Sequence, residues 1–271
     1  MVLRNGPADV DVLVIGAGAC GLAAAIAAHD AGAGVAVIEK LDRPGGNSSL
    51  STGSVPAAGT RFQRDAGIAD SSERFIDDLM RIGGPTDCPH LVRRLVETSA
   101  ATVEWLADRV GARIALVTAY KHVGHSVPRL HAPVSRRGRD LVDDLLAAVE
   151  QRGIPLAVGN AAIALITDAS GGAIGADIDA NGERHRVIAR KTVLAVNGFA
   201  ANRDLVARFC PEISGAAYFG ARGSTGEAVL WGEALGAALG NIGAYQGYAA
   251  VSDPHGSLLS WTTIEKGGII V

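Results

Sequence analysis

Two glycine-bearing stretches hold most of the residues whose types and spacing point to chemistry. The first is "GAGACG", Gly16 to Gly21, a G-x-G-x-x-G that sits between an apolar run and a helical pattern, with Glu39 ending the next apolar run 23 residues after Gly16. Gly16 permits a tight turn, Gly18 lets backbone approach a pyrophosphate, and Gly21 allows close helix packing. The free N–H groups and positive dipole end of the following helix favour phosphates. Glu39 is placed to accept hydrogen bonds from ribose hydroxyls. The pattern specifies a dinucleotide and does not separate FAD from NAD.

The second stretch is "PGGNSSLSTG", Pro44 to Gly53. Its composition alone also fits a polar surface loop. Its position, directly after the ribose-binding strand, favours a ligand that extends further along the pyrophosphate. Gly45 and Gly46 remove side chains that would obstruct a flat ring, while Asn47, Ser48 and Thr52 offer hydrogen bonds to ribityl and ring atoms. The expected cofactor is therefore FAD.

These stretches need elements to position them. Apolar periodicity predicts a strand at Asp11–Ile15, a helix from about Ala19 to Ala31 and a strand at Val35–Ile38, a βαβ opening. Between about residues 60 and 150 the pattern becomes mainly helical, with amphipathic segments at Ser71–Arg81, His90–Arg109 and Arg139–Arg152, read as an insertion. Short β-rich pieces follow at Pro155–Val158, Ala162–Thr167, Ala173–Ala180, Glu183–Ala189 and Thr192–Val196. "DASGG" and "DANGE" are turns, and the second carries the Asn-Gly hairpin signal. Helices are expected at Arg203–Phe209 and Gly226–Leu239. The class is α/β with an added antiparallel layer.

Bulk properties exclude several alternatives. With 271 residues, 48% hydrophobic and 20% charged, the chain has the makings of one or two real cores. A net charge of −3 gives no reason to expect nucleic acid, and the one dense cationic run, "SRRGR" at Ser135–Arg139, reads as a solvated loop. Cys20, Cys88 and Cys210 are odd in number and widely spaced, which fits a reducing, cytoplasmic compartment better than a disulfide framework. His122, His125 and His131 lack carboxylate or cysteine partners at ligand spacing, so no metal is expected. The longest uncharged run, Val12 to Ala28, is 17 residues and broken by glycines, so no membrane segment is expected; the N-terminus does not read as a signal peptide. Ser224 and Thr225 read as caps of the following helix, a reading compatible with Glu227 touching the cofactor.

At these motifs the chain resembles the flavoprotein family of fumarate reductases and succinate dehydrogenases, which includes soluble fumarate reductases and ketosteroid dehydrogenases. The resemblance runs nearly the whole length, through "HSVPRLHAP" (His125–Pro133), "VLAVNGFAAN" (Val193–Asn202), "GSTGEAVLWGEALGA" (Gly223–Ala237) and "KGGIIV" (Lys266–Val271). It implies a Rossmann-like FAD-binding domain over residues 1–250 with a β-meander and a helical insertion. Residues 251–271 would begin a capping domain whose remainder, with the catalytic Arg and a late glycine-rich stretch, is not in this sequence. By resemblance, Gly16, Ala17, Gly18, Cys20 and Gly21 form the phosphate turn and Glu39 binds the adenosine ribose with Lys40 beside it. Gly45, Gly46, Asn47, Ser48, Thr52 and Gly53 line the flavin, Ala162 meets the adenine side, Ala195 follows a strand near the cofactor, and Glu227 stands where the family usually has Asp. Asn197 replaces the first of two glycines in the family's A-x-G-G-F. Arg129 and His131 would fall in a segment near the ligand side, with no role fixed for either.

The implied activity is hydride transfer between flavin N5 and a carbon beside a carboxylate or ketone, with an unsaturated acid or enone as substrate and a separate electron donor or acceptor. Tyr248 stands at or near the position of a substrate-binding His in many relatives; being neutral at pH 7, it shifts the expected preference towards ketones or bulkier, less charged substrates. Two other readings use the same cofactor fold: a different flavin chemistry such as amine oxidation or monooxygenation, and an FAD-binding module without turnover. No G-x-S-x-G elbow supports a hydrolase.

Overall fold

The computed structural model describes residues 8–84, 88–245, 247, 251–252 and 257–258. Strand β1 (Val10–Ile15) lies at the centre of a six-stranded sheet and alternates its side chains between two cores. Val14 enters the larger one, and Leu13 and Ile15 the smaller. Helix α1 (Ala19–Asp30) returns the chain to β2 (Val35–Ile38), which pairs parallel with β1 from Val12↔Val35 to Ile15↔Ile38. This is the expected βαβ unit.

The second glycine stretch is not all loop, since Gly46–Leu50 forms a short helix, α2. A small sheet that periodicity did not predict comes next. Its strands β3 (Val55–Pro56), β4 (Ile114–Leu116) and β5 (Leu130–Pro133) pair in the order β3-β5-β4, each too short to show a period. Between them run α3 (Arg61–Asp65), α4 (Ser72–Gly83) and α5 (Pro89–Trp105), the last continued by a π-helical turn at Leu106–Val110 and stopped by Gly111 at φ 79°. Helix α6 (Gly138–Gln151) buries Leu141, Val142, Leu145, Ala148 and Val149, one face at helical spacing, in the same core as α1. Each fully buried Leu or Val there contributes roughly 1.5–3 kcal/mol.

The sheet is completed by β6 (Leu156–Ala157), β7 (Asn160–Thr167), β8 (Ala173–Ala180) and β9 (Glu183–Leu194), in the order β6-β2-β1-β9-β8-β7. The β8–β9 hairpin turns at Asn181 and Gly182, both at positive φ, as its Asn-Gly sequence requires. The two strands expected at Glu183–Ala189 and Thr192–Val196 are one. The polar Arg190-Lys191 pair breaks the apolar pattern but not the ladder, because β9 changes partner there. Its first half pairs antiparallel with β8 up to Ile188, and its second half pairs parallel with β1 from Ala189 to Leu194. A Rossmann-like half-sheet and a β-meander thus share one strand, and the fold is α/β as expected. Helix α7 (Arg203–Phe209) and helix α8 (Glu227–Ala234) follow, the latter shorter than the expected Gly226–Leu239 because the chain turns at Gly236, φ 79°. A final pair, β10 (Val251–Ser252) and β11 (Ser257–Leu258), is antiparallel.

Candidate functional site

The site begins where β1 ends. Gly16 has φ 105°, and a Cβ on it would come within 2.4 Å of the Ala195 carbonyl oxygen; a Cβ on Gly21 would lie 1.9 Å from the carbonyl oxygen of Gly16. Both positions exclude any side chain. Gly18 is different, with nothing nearer its missing Cβ than Ser48 Oγ at 3.8 Å, and it lines an open cavity of about 390 Å³. Helix α1 starts at that cavity with no side chain of Gly18 to cap it and no acid in its first turn, so its positive end is available to an anion.

Glu39 follows β2 and is 8% exposed. Its Oε2 accepts from Ala17 N at 2.9 Å and its Oε1 from Leu41 N at 3.0 Å, so the carboxylate ties the first turn to the loop after β2 while still lining the cavity. Gly45 continues the clasp, its N–H donating to Ala17 O at 2.9 Å. From α2, Ser48 Oγ accepts from Ala19 N at 3.2 Å, and Asn47 Oδ1 from Ala221 N at 2.6 Å.

Across the cavity stand the ends of β9 and α8. Asn197 has φ 64°, a left-handed conformation that explains how Asn substitutes for the family's glycine, since Asn tolerates that region better than other side chains. Its Nδ2 donates to Ser224 Oγ at 3.0 Å. Lys40 Nζ donates to Thr225 Oγ1 and pairs with Glu227 Oε1, both at 2.5 Å. Burial pushes the Glu227 carboxyl up, but the hydrogen bonds from Lys40 and Thr225 outweigh it and hold the group below the usual carboxylate range. Its other oxygen, Oε2, is buried without a partner among the described residues. Neither Ser224 nor Thr225 caps α8, whose N-cap is Gly226. Thr225 instead bridges Lys40 and Glu227, so the capping reading falls.

The structure therefore gathers Gly16, Gly18, Cys20, Glu39, Lys40, Gly46, Asn47, Ser48, Ala162, Ala195 and Glu227 on one wall system. Ala162 arrives from β7 beside a register shift in the β7–β8 ladder. Thr52 lines a second, larger cavity of about 1380 Å³, and Asn47 lines both. Ala17, Gly21, Gly45 and Gly53 lie on neither wall; they fix the backbone behind it. Asn160, Asn197, Ser224 and Trp231 also line the first cavity. Of these only Asn197, Ser224 and Trp231 fell within motifs the sequence had marked. Tyr248 lies outside the described residues.

Arg129 and His131, for which the resemblance fixed no role, are both 0% exposed. Arg129 donates to Asp70 at 2.7 and 2.9 Å and to Asp78 at 2.5 Å, over the ring of Phe75, while His131 Nε2 is 2.9 Å from Thr60 Oγ1. Burial is opposed by the Arg129, Ser126 and Arg81 hydrogen bonds, which hold the Asp78 carboxyl well below its ordinary range. This segment anchors the helical insertion to the small sheet. The "SRRGR" run is not simply solvated as expected, because Arg136 is half-buried and lines the larger cavity. Among the described residues no three His, Cys, Asp or Glu side chains group as a metal site, and no helix is long and apolar enough to cross a membrane.

The donors and acceptors present suit a dinucleotide with a ring system attached: a side-chain-free turn at a helix N-terminus, a fixed carboxylate at the end of β2, an unpartnered buried oxygen on Glu227, and a second cavity beyond Asn47. Comparisons agree. The FAD binding domain family matches residues 11–271. The chain is 34% identical over 269 residues to the NADH:fumarate oxidoreductase of Klebsiella pneumoniae (strain 342), covering 98% of this chain and 28% of that protein. It is similar to the open conformation of a flavocytochrome c3 fumarate reductase, with a TM-score of 0.87 and 31% identity over 94% of this chain and 45% of that one. It is also similar to the 3-ketosteroid-Δ4-(5α)-dehydrogenase of Rhodococcus jostii RHA1, with a TM-score of 0.76 and 25% identity over 86% of this chain and 55% of that one. The chain thus spans between 28% and 55% of the length of these three relatives. It belongs to the FAD binding domain family, and FAD is its cofactor.

Proposed function

We propose that this chain is the FAD-binding part of an oxidoreductase that moves a hydride between the flavin and a carbon beside the carboxylate of an unsaturated acid or the ketone of an enone. The observation that carries the reading is the pair of cavities meeting at Asn47, a narrow one built around the phosphate turn and a wide one beyond the second glycine stretch. The bound flavin supplies two-electron chemistry; the protein supplies position and exclusion. In this reading Gly18 and the start of α1 hold the pyrophosphate, Glu39 the adenosine ribose, and Ala162 the adenine side. Asn47, Ser48, Thr52 and the turn at Gly53 follow the flavin, and Glu227, fixed by Lys40, offers Oε2 to a cofactor hydroxyl. Tyr248 is assigned to the substrate by the family resemblance alone.

Residues up to about 250 are assigned to the FAD domain and 251–271 to the start of a substrate cap. The electron partner is a separate molecule, and Cys20, Cys88 and Cys210, odd in number and widely spaced, favour a cytoplasmic setting. The named activities of the relatives, a fumarate oxidoreductase and a ketosteroid dehydrogenase, support the acid-or-enone class. The test is anaerobic oxidation of a chemically reduced dye by the FAD-loaded full-length protein with acrylate, fumarate or 2-cyclohexenone as acceptor. Turnover with at least one is expected, and none with any would refute the reading.

A further inference from the structure

The larger cavity carries cations and, among its described lining residues, no Asp or Glu. Its arginines are not equivalent. Arg137 and Arg139 have partners within α6 or its first turn, Asp140 at 3.6 Å and Asp143 at 2.8 Å. Arg203 donates to the carbonyls of Ser214 and Ala216. Arg136 has no carboxylate partner among the described residues. Among the described residues its guanidinium makes one hydrogen bond, from Nη2 to the neutral Ser54 Oγ at 3.1 Å, and its buried Nε has no partner.

The backbone holds this side chain in place against its own preference. Arg136 has φ 57°, the left-handed region that residues with a β-carbon enter at a cost and that collects at functional positions. The turn is closed by Arg136 N donating to Pro133 O at 2.9 Å. Two residues on, Gly138 N donates to Ser51 O at 2.7 Å, and a Cβ on Gly138 would lie 2.0 Å from the Ser48 carbonyl oxygen. The Arg136 turn is thereby docked on α2, the element that carries Asn47 and separates the two cavities.

We propose that Arg136 is the specificity residue of the larger cavity and takes a carboxylate of the substrate. Phosphate chemistry is already served at the start of α1, so the uncompensated guanidinium in the other cavity calls for a second anion. A guanidinium presents paired donors that match a carboxylate. This rests on the oxidoreductase reading and narrows it to an unsaturated acid rather than an uncharged enone.

The experiment titrates the FAD-loaded full-length protein with acrylate and with 2-cyclohexenone, following the flavin difference spectrum, for the natural protein and for Arg136→Gln, Arg136→Lys and Arg136→Gly. The expected result is a rise in the acrylate Kd of at least about tenfold in Arg136→Gln, with partial recovery in Arg136→Lys and no change for cyclohexenone or FAD. Arg136→Gly is expected to raise the melting temperature while losing acrylate affinity, a combination that a purely structural arginine does not give. Equal shifts for both ligands, an unaltered acrylate Kd, loss of FAD, or no acrylate binding to the natural protein would each overturn the proposal. Because binding is read without turnover, Arg136-dependent acrylate binding in a protein that reduces neither compound upholds this inference and sinks the oxidoreductase reading. Normal turnover with Arg136-independent binding does the reverse.

Discussion

Replacing Glu39 by Ala separates the two tasks its carboxylate performs. In the protein without cofactor, Oε2 and Oε1 hold the N–H groups of Ala17 and Leu41, and both bonds are lost with the carboxylate, which lines the open cavity. A hydrogen bond to a charged group is worth about 1.5–3 kcal/mol. The two contacts together give a loss of about 3 kcal/mol after relaxation at the half-exposed Leu41. For a chain of this size that lowers the melting temperature by roughly 6–12 °C. The second task is the adenosine ribose. FMN has no adenosine, so FAD affinity should fall roughly tenfold or more beyond any loss for FMN. Thermal melts without flavin and fluorescence-quenching titrations with FAD and FMN read the two effects separately. If FAD and FMN weaken equally, the ribose assignment fails; if the melting temperature is unchanged, the clasp between the two loops is not what holds them.

Gly21→Ala drives a Cβ to within 1.9 Å of the Gly16 oxygen and should cost about 3 kcal/mol and abolish FAD retention, read by thermal melts and by the flavin spectrum of the purified variant. Burial, with the nearby Arg129 and His122 charges, depresses His125 from 6.5 to about 4, and its Nδ1 is buried without a partner. A base with a depressed folded pKa is neutral in the fold and protonated in the unfolded chain between these values. The stability it permits is present above about pH 6.5 and lost as pH falls towards 4. His125→Leu should flatten the melting-temperature slope in that window, and an unchanged slope would count against it. Asn197→Val forces a β-branched residue to φ 64° and should cost about 1–3 kcal/mol, whereas Asn197→Gly should stay within about 1 kcal/mol, as denaturant titration will show.

The parts legible in the sequence were those governed by local rules. β1, α1 and β2 follow from apolar periodicity, the Asn181-Gly182 hairpin from turn chemistry, and the phosphate turn from glycine spacing. What escaped was set by partners distant in the chain. β9 reads as two strands because only the exchange of β8 for β1 as neighbour keeps Arg190 and Lys191 extended. The strands β3, β4 and β5 are too short for a period and exist because they pair with each other. Arg129 has no role that the sequence could fix, and only the fold brings Asp70 and Asp78, about 50–60 positions earlier, around it. Arg136 looks like one cation in a solvated run; its left-handed backbone and its place at the larger cavity come from the docking of Gly138 on α2, a close approach of backbones that no spacing announces.

The central claim is that the paired glycine stretches hold FAD. The measurement is a visible absorption spectrum of the purified protein after incubation with FAD and removal of free flavin, with a parallel binding titration against NAD. The account predicts a retained flavin spectrum at close to one FAD per chain and no competing binding by NAD. Binding of NAD with no retention of FAD would contradict it.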